Sequence, residues 1–132
     1  MKKASKAKKE FLSEQAFQEW TAKEVEALGI FGWHTPNEGK MSPQYGAKRK
    51  RQGVMAGVAD WIIVLHWSPK PVAIELKLPG GKLTGAQEVF RERLLVVGGA
   101  YYIASSKQEF WAALADCSAC HINRLYERGY QP

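Results

Sequence analysis

Apolar residues divide this chain into helical and extended segments by their spacing alone. Glu14, Phe17, Thr21, Val25 and Leu28 recur every three or four residues and fall on one face of a helix. Ser13 can cap that helix, which is expected to run to about Leu28 and stop at Gly29. Glu14 therefore heads the core-facing stripe. A short strand is expected at Ile30–His34, then a loop from Thr35 to Met41. Ser42-Pro43 predicts a second helix start, because proline is tolerated at the first helical position, and Gly53 predicts its stop.

Two nearly continuous apolar runs follow, Asp60–His66 and Val72–Leu78, joined by the turn Ser68-Pro69-Lys70-Pro71. They read as a hairpin, broken after the second strand by Pro79-Gly80-Gly81. Thr84 with Gln87 forms a capping box that opens a helix to about Val97, ended by Gly98-Gly99. Ala100–Ala104 is a further strand, and Ser106 with Glu109 caps a helix reaching about Asp116. A helical crossover between the Glu75 strand and the Tyr101 strand implies that these two are parallel. The fold class expected is α/β, a small mixed sheet flanked by helices.

The charges inside the hairpin need a reason. Residues two apart on a strand share a face, so Glu75 and Lys77 lie together while Ile74 and Leu76 take the other side. If the hairpin is antiparallel, Asp60 can lie across from Glu75 or Lys77. Two carboxylates and an ammonium at the end of an apolar hairpin are costly to bury. Oxygen ligands of this kind suit a hard cation such as magnesium or manganese.

Charge distribution adds a partner. Of 19 Lys and Arg, ten fall in residues 1–9 or at Lys40, Lys48, Arg49, Lys50 and Arg51, leaving nine against 13 Asp and Glu. The net charge of +6 thus resides in two local basic segments, as a phosphate-binding surface requires. Residues 1–10 read as a basic flexible tail, which solubility alone would also explain, and 11–132 as a single domain. No apolar run approaches the ~18–20 residues needed to span a membrane. No apolar stretch follows the initial lysines as a secretory signal would, so a cytoplasmic protein is expected, with Cys117 and Cys120 as reduced thiols. Cys117-Ser118-Ala119-Cys120-His121 spells a haem-attachment motif and half of a zinc site. Haem attachment needs export and zinc needs two further ligands, so the segment reads as a helix end. Trp20, Trp33, Trp61 and Trp111 are expected in core and interface positions, and Trp67, at the hairpin end, is the candidate for stacking on a base. His34 and His66 have no spacing that argues for catalysis.

Gly57-Val58-x-Asp60, Ile74-Glu75-Leu76-Lys77 and Pro79-Gly80-Gly81-Lys82-Leu83-Thr84-x-x-Gln87 together resemble the VRR-NUC family of the PD-(D/E)XK nucleases. Pro36-Asn37-x-Gly39-Lys40 and the basic helix before Gly53 are similar to its short phage and bacterial members. The similarity covers about residues 13–116. Ala59 departs from it, standing where the family usually has proline. The resemblance implies a restriction-endonuclease-like core in which Asp60 and Glu75 are metal-binding acids and Lys77 is the catalytic lysine. It also implies that Glu14 is the acid of the first helix and Gln87 the glutamine after the lysine strand. The activity implied is cleavage of branched DNA, as in Holliday-junction resolution, by a homodimer.

The chemistry is intelligible in its own right. A divalent ion held by Asp60, Glu75 and the Leu76 carbonyl can lower the pKa of a bound water and offset phosphate charge. Lys77 can orient that water or stabilise the transition state. Glu14 has two readings, a ligand acting through water or an acid favoured by the helix dipole. Gln87 can position Lys77 or a phosphate, or simply complete its capping box. Lys40, Lys48, Arg49, Lys50, Arg51 and Lys82 are the expected DNA contacts, giving affinity without sequence reading. The alternatives are a nicking or restriction-type nuclease, or a nucleic-acid-binding module without catalysis.

Overall fold

The computed structural model describes residues 9–36 and 42–132. The lysines within residues 1–8, Lys40, and most of the expected 35–41 loop lie outside the described residues. Ser13 opens helix α1 (Glu14–Ala27) by accepting the Ala16 N–H at 3.0 Å. Phe17, Thr21, Val25 and Leu28 are buried, as their spacing requires, but Glu14 is exposed, not core-facing. It sits in the first turn, ahead of the point where the helix meets the core. Glu10, counted with the tail, is tied to the domain, its Oε1 accepting the Lys107 N–H at 2.7 Å.

The strands are β1 (Gly32–His34), β2 (Trp61–Val64), β3 (Pro71–Leu76) and β4 (Ala100–Ala104), in the order β1-β2-β3-β4. The first two pairings are antiparallel, and β3–β4 is parallel, as the helical crossover demanded. All three early strands are shorter than expected. Ile30 donates to the Val25 carbonyl at 3.1 Å and so belongs to the exit of α1. Proline lacks a donor, so the β2–β3 ladder closes at Val64 opposite Pro71. Helices α2 (Pro43–Arg51), α3 (Gly85–Val96) and α4 (Lys107–Asp116) lie where their caps predicted.

Helices cover both faces of the sheet. Trp61, Ile63, Val72, Ile74 and Leu76 form one face and pack with Phe17, Leu28, Phe110, Trp111 and Leu114 of α1 and α4. On the other face α3 covers β3 and β4, with the Phe90 and Tyr101 rings 6.3 Å apart. Both sides of β3 are therefore buried. β1 is an uncovered edge, which leaves Trp33 half-exposed against Phe31 instead of in the core. Trp67 donates its indole N–H to the Ser118 carbonyl at 3.0 Å. That bond ties it to the loop after α4, beyond the end of β2 away from Asp60. Among the described residues, no helix is long and apolar enough to cross a membrane.

A fifth helix, α5 (Ile122–Arg128), has no counterpart in the sequence reading. Only Leu125 of it is buried, so no apolar period announces it. Cys117 does end α4, and His121 opens α5 by accepting the Asn123 N–H at 3.2 Å. Arg128 at its end grips the buried Glu24 of α1 through Nε at 2.7 Å and through Nη2. Trp111 donates to the same carboxylate at 2.8 Å. Burial pushes the Glu24 carboxyl up, but the Arg128 and Trp111 hydrogen bonds outweigh it and hold the group below its ordinary value. Removing one partner of a buried pair strands the other charge. Arg128→Ala is expected to cost about 2 kcal/mol in urea unfolding, discounted for the partly exposed guanidinium. Glu24→Gln with Arg128→Met should recover most of that loss, and an unchanged midpoint in Arg128→Ala would refute the clamp.

Candidate functional site

The site begins with register. Trp61 pairs with Ile74, so Asp60, one step before, lies across from Glu75, one step after. Asp60 Oδ2 accepts the Leu76 N–H at 2.7 Å, and its carbonyl accepts the Thr35 N–H at 2.7 Å. Lys77 stays in the ladder past the end of β3 by donating its N–H to the Ala104 carbonyl at 3.0 Å. Its Nζ then lies 3.9 Å from Glu75 Oε1.

Gln87 completes the inner wall. The capping box holds it, Thr84 N–H donating to Oε1 at 2.9 Å, while Nε2 donates to Glu75 Oε1 at 3.1 Å. Capping and site roles thus coexist in one amide, which reaches Glu75 rather than Lys77. Gly57 permits this approach. It has φ +77°, and a Cβ there would lie 2.3 Å from the Ala86 carbonyl carbon, so only glycine lets the loop before Asp60 lie against the start of α3.

Glu75 is 2% exposed, and its Oε2 makes no hydrogen bond. Burial first, and then the neighbouring Asp60 carboxylate, push its carboxyl up to about 8, against a smaller opposing pull from Lys77. Tyr101 Oη on the adjacent strand is likewise buried without a partner, and burial with the charges of Glu75 and Asp60 raises that phenol. An orphaned carboxylate oxygen beside a second carboxylate is a donor set that suits a divalent cation. Among the described residues, no three His, Cys, Asp or Glu side chains converge as a metal-binding group.

These residues open into a cleft of about 460 Å³. Glu14 lines its α1 wall with Gln15 and Gln18, and Asp60, Glu75, Lys77 and Gln87 line it together with Gly57 and Thr84, so all five expected catalytic residues border one cleft. His34 joins them, its Nε2 3.9 Å from Asp60 Oδ1. No local spacing marks His34, because its pairing with Trp61 joins segments far apart in the chain. Lys48, Arg51 and Lys82 are exposed and do not line the cleft, whereas Arg49 and Lys50 line a groove beside it.

No protein-family model, no curated protein and no solved structure matches this chain.

Because Glu75 titrates near 8 when folded and near 4.5 unfolded, the folded protein binds more protons between those values. Ion-free stability accordingly falls as pH rises through that window. Glu75→Gln is expected to raise the thermal midpoint by at least ~4 °C above pH 8, where the parent carries a buried charge beside Asp60, with little effect below pH 4.5. Manganese should stabilise the parent more on the alkaline side than on the acid side. Scans showing the same increments at both ends would remove the raised carboxyl.

Proposed function

We propose that this protein is a divalent-metal-dependent DNA endonuclease with a PD-(D/E)XK core, similar to the VRR-NUC nucleases. The observation that carries the reading is the buried Glu75 carboxylate, unsatisfied at Oε2, facing Asp60 with the Lys77 ammonium 3.9 Å away. Asp60 and Glu75, with the Leu76 carbonyl, would hold magnesium or manganese, which would supply Lewis acidity toward a bound water and the phosphate. Every other role belongs to the chain. Lys77 contributes a fixed positive charge where negative charge builds on the phosphate. Gln87 keeps the Glu75 carboxylate turned to the cleft, and Glu14 on the α1 wall is placed to hold a water. His34 sits at the rim with Nε2 3.9 Å from Asp60 Oδ1, near that carboxylate but not hydrogen-bonded to it.

The substrate class proposed is branched DNA, cut as in Holliday-junction resolution. Two symmetric cuts call for two sites, and hence a homodimer. Lys48, Lys50, Arg51 and Lys82 are exposed cations suited to backbone phosphates, which would make binding salt-dependent. A cytoplasmic location, in which Cys117 and Cys120 would stay reduced thiols, goes with this reading.

A labelled four-way junction tests the proposal. With magnesium or manganese the parent should make paired nicks, and EDTA should abolish them. Asp60→Ala should bind without cutting, and Lys77→Ala should lower kcat by ~10²–10³-fold at nearly unchanged affinity. A parent that binds the junction and cuts nothing with either metal would be a binding module instead. Cutting of linear duplex alone at a fixed sequence would make it a restriction-type enzyme.

A further inference from the structure

Two tyrosines follow one another on β4, and the period of a strand sends them to opposite faces of the sheet. Tyr102 pairs with Ile74 and faces α4, where its hydroxyl donates to Asp116 Oδ2 at 2.5 Å. Tyr101 pairs with Ala73 and turns to α3 instead, its ring 6.3 Å from that of Phe90. Glu75, two residues after Ala73, points to that same face. Gln87 and Phe90 lie three apart on α3, so one side of one helix covers both groups. The Gln87 amide donates to Glu75 Oε1 at 3.1 Å. Among the described residues, Glu75 Oε2 and Tyr101 Oη are the buried side-chain nitrogen or oxygen atoms left without a hydrogen bond.

The two orphans are complementary. A phenol has one O–H to give, and an ionised carboxylate oxygen has lone pairs for two partners. Burial first, then the charges of Glu75 and Asp60, raise the phenol against a smaller opposing pull from Arg91, so Tyr101 keeps its proton and stays a donor. A buried hydroxyl without a partner destabilises the fold, and phenylalanine would fill the same space without it. The hydroxyl therefore gains a partner only in a state where Glu75 is charged.

We infer that Tyr101 is a positioning residue, whose hydroxyl donates to Glu75 Oε2 when that carboxylate holds a divalent ion and so fixes its orientation in the cleft. The inference rests on the metal-dependent reading of Glu75. Tyr101 is not among the residues lining the cleft, so it acts through Glu75 and not on the substrate. The second lone pair of Oε2 stays free for the ion. Calorimetric titration with manganese at neutral pH, alongside thermal scans, tests this without catalysis. Tyr101→Phe should weaken manganese binding about tenfold, the lower end of what losing the partner of a ligand costs. The same variant should have a metal-free midpoint at or above the parent's, because an unpartnered hydroxyl has been removed. In cleavage assays its kcat should fall at nearly unchanged KM for DNA, and excess manganese should restore it.

Tyr102→Phe is the control, since it breaks a bond already made on the other face. It should lower the midpoint and leave manganese affinity unchanged. In a Glu75→Gln background, Tyr101→Phe should alter manganese binding by less than about twofold. Parental manganese affinity in Tyr101→Phe would overturn the inference and leave the nuclease reading standing. A lowered metal-free midpoint, or failure of that variant to fold, would overturn it too, because the hydroxyl would then be bonded before any ion arrives. A parent that binds manganese with the Tyr101 effect intact but cuts no DNA would overturn the nuclease reading and leave the inference. A parent that takes up no manganese would overturn both.

Discussion

The burial of one carboxylate beside another is the constraint around which this molecule is arranged. Two like charges ~4 Å apart repel by about 4 kcal/mol at an effective dielectric near 20, before any desolvation. Glu75, on the central strand β3 and covered by α3, bears both penalties once it ionises, which is why its carboxyl is pushed up to about 8. The surrounding chain offsets them only in part, with one amide from Gln87 and one ammonium at 3.9 Å. The remaining oxygen, Oε2, has no hydrogen-bond partner among the described residues.

Glu24 shows what a purely structural buried acid looks like in the same protein. Both its oxygens are bonded, by a two-pronged guanidinium and an indole N–H, and its carboxyl is held below the ordinary value. It locks α5 and α4 to α1. The two acids are buried to a similar depth, yet one is satisfied from within and the other is not. Among the described residues the unsatisfied buried side-chain atoms, Glu75 Oε2 and Tyr101 Oη, lie on the adjacent strands β3 and β4.

Much of the site was legible because its residues are close in sequence and its elements have strong local signals. The turn prolines announced the hairpin, period two put Glu75 and Lys77 on one side, and the Thr84 capping box delivered Gln87 to the start of α3. His34 and the Glu24–Arg128 clamp were not legible. Each depends on contacts between segments far apart in the chain, and α5 has too few apolar residues to show a period.

The sequence by itself determined which residues could carry charge into an apolar hairpin, where helices begin, and that β3 and β4 run parallel. Those are consequences of nearest-neighbour sterics, caps and crossover handedness, all local in the chain. Only the tertiary structure decided that Glu75 lacks a partner at Oε2, that Gly57 lets α3 close over it, and that His34 borders the cleft. Burial and electrostatics are sums over everything nearby in space, and spatial neighbours are set by packing rather than by sequence distance.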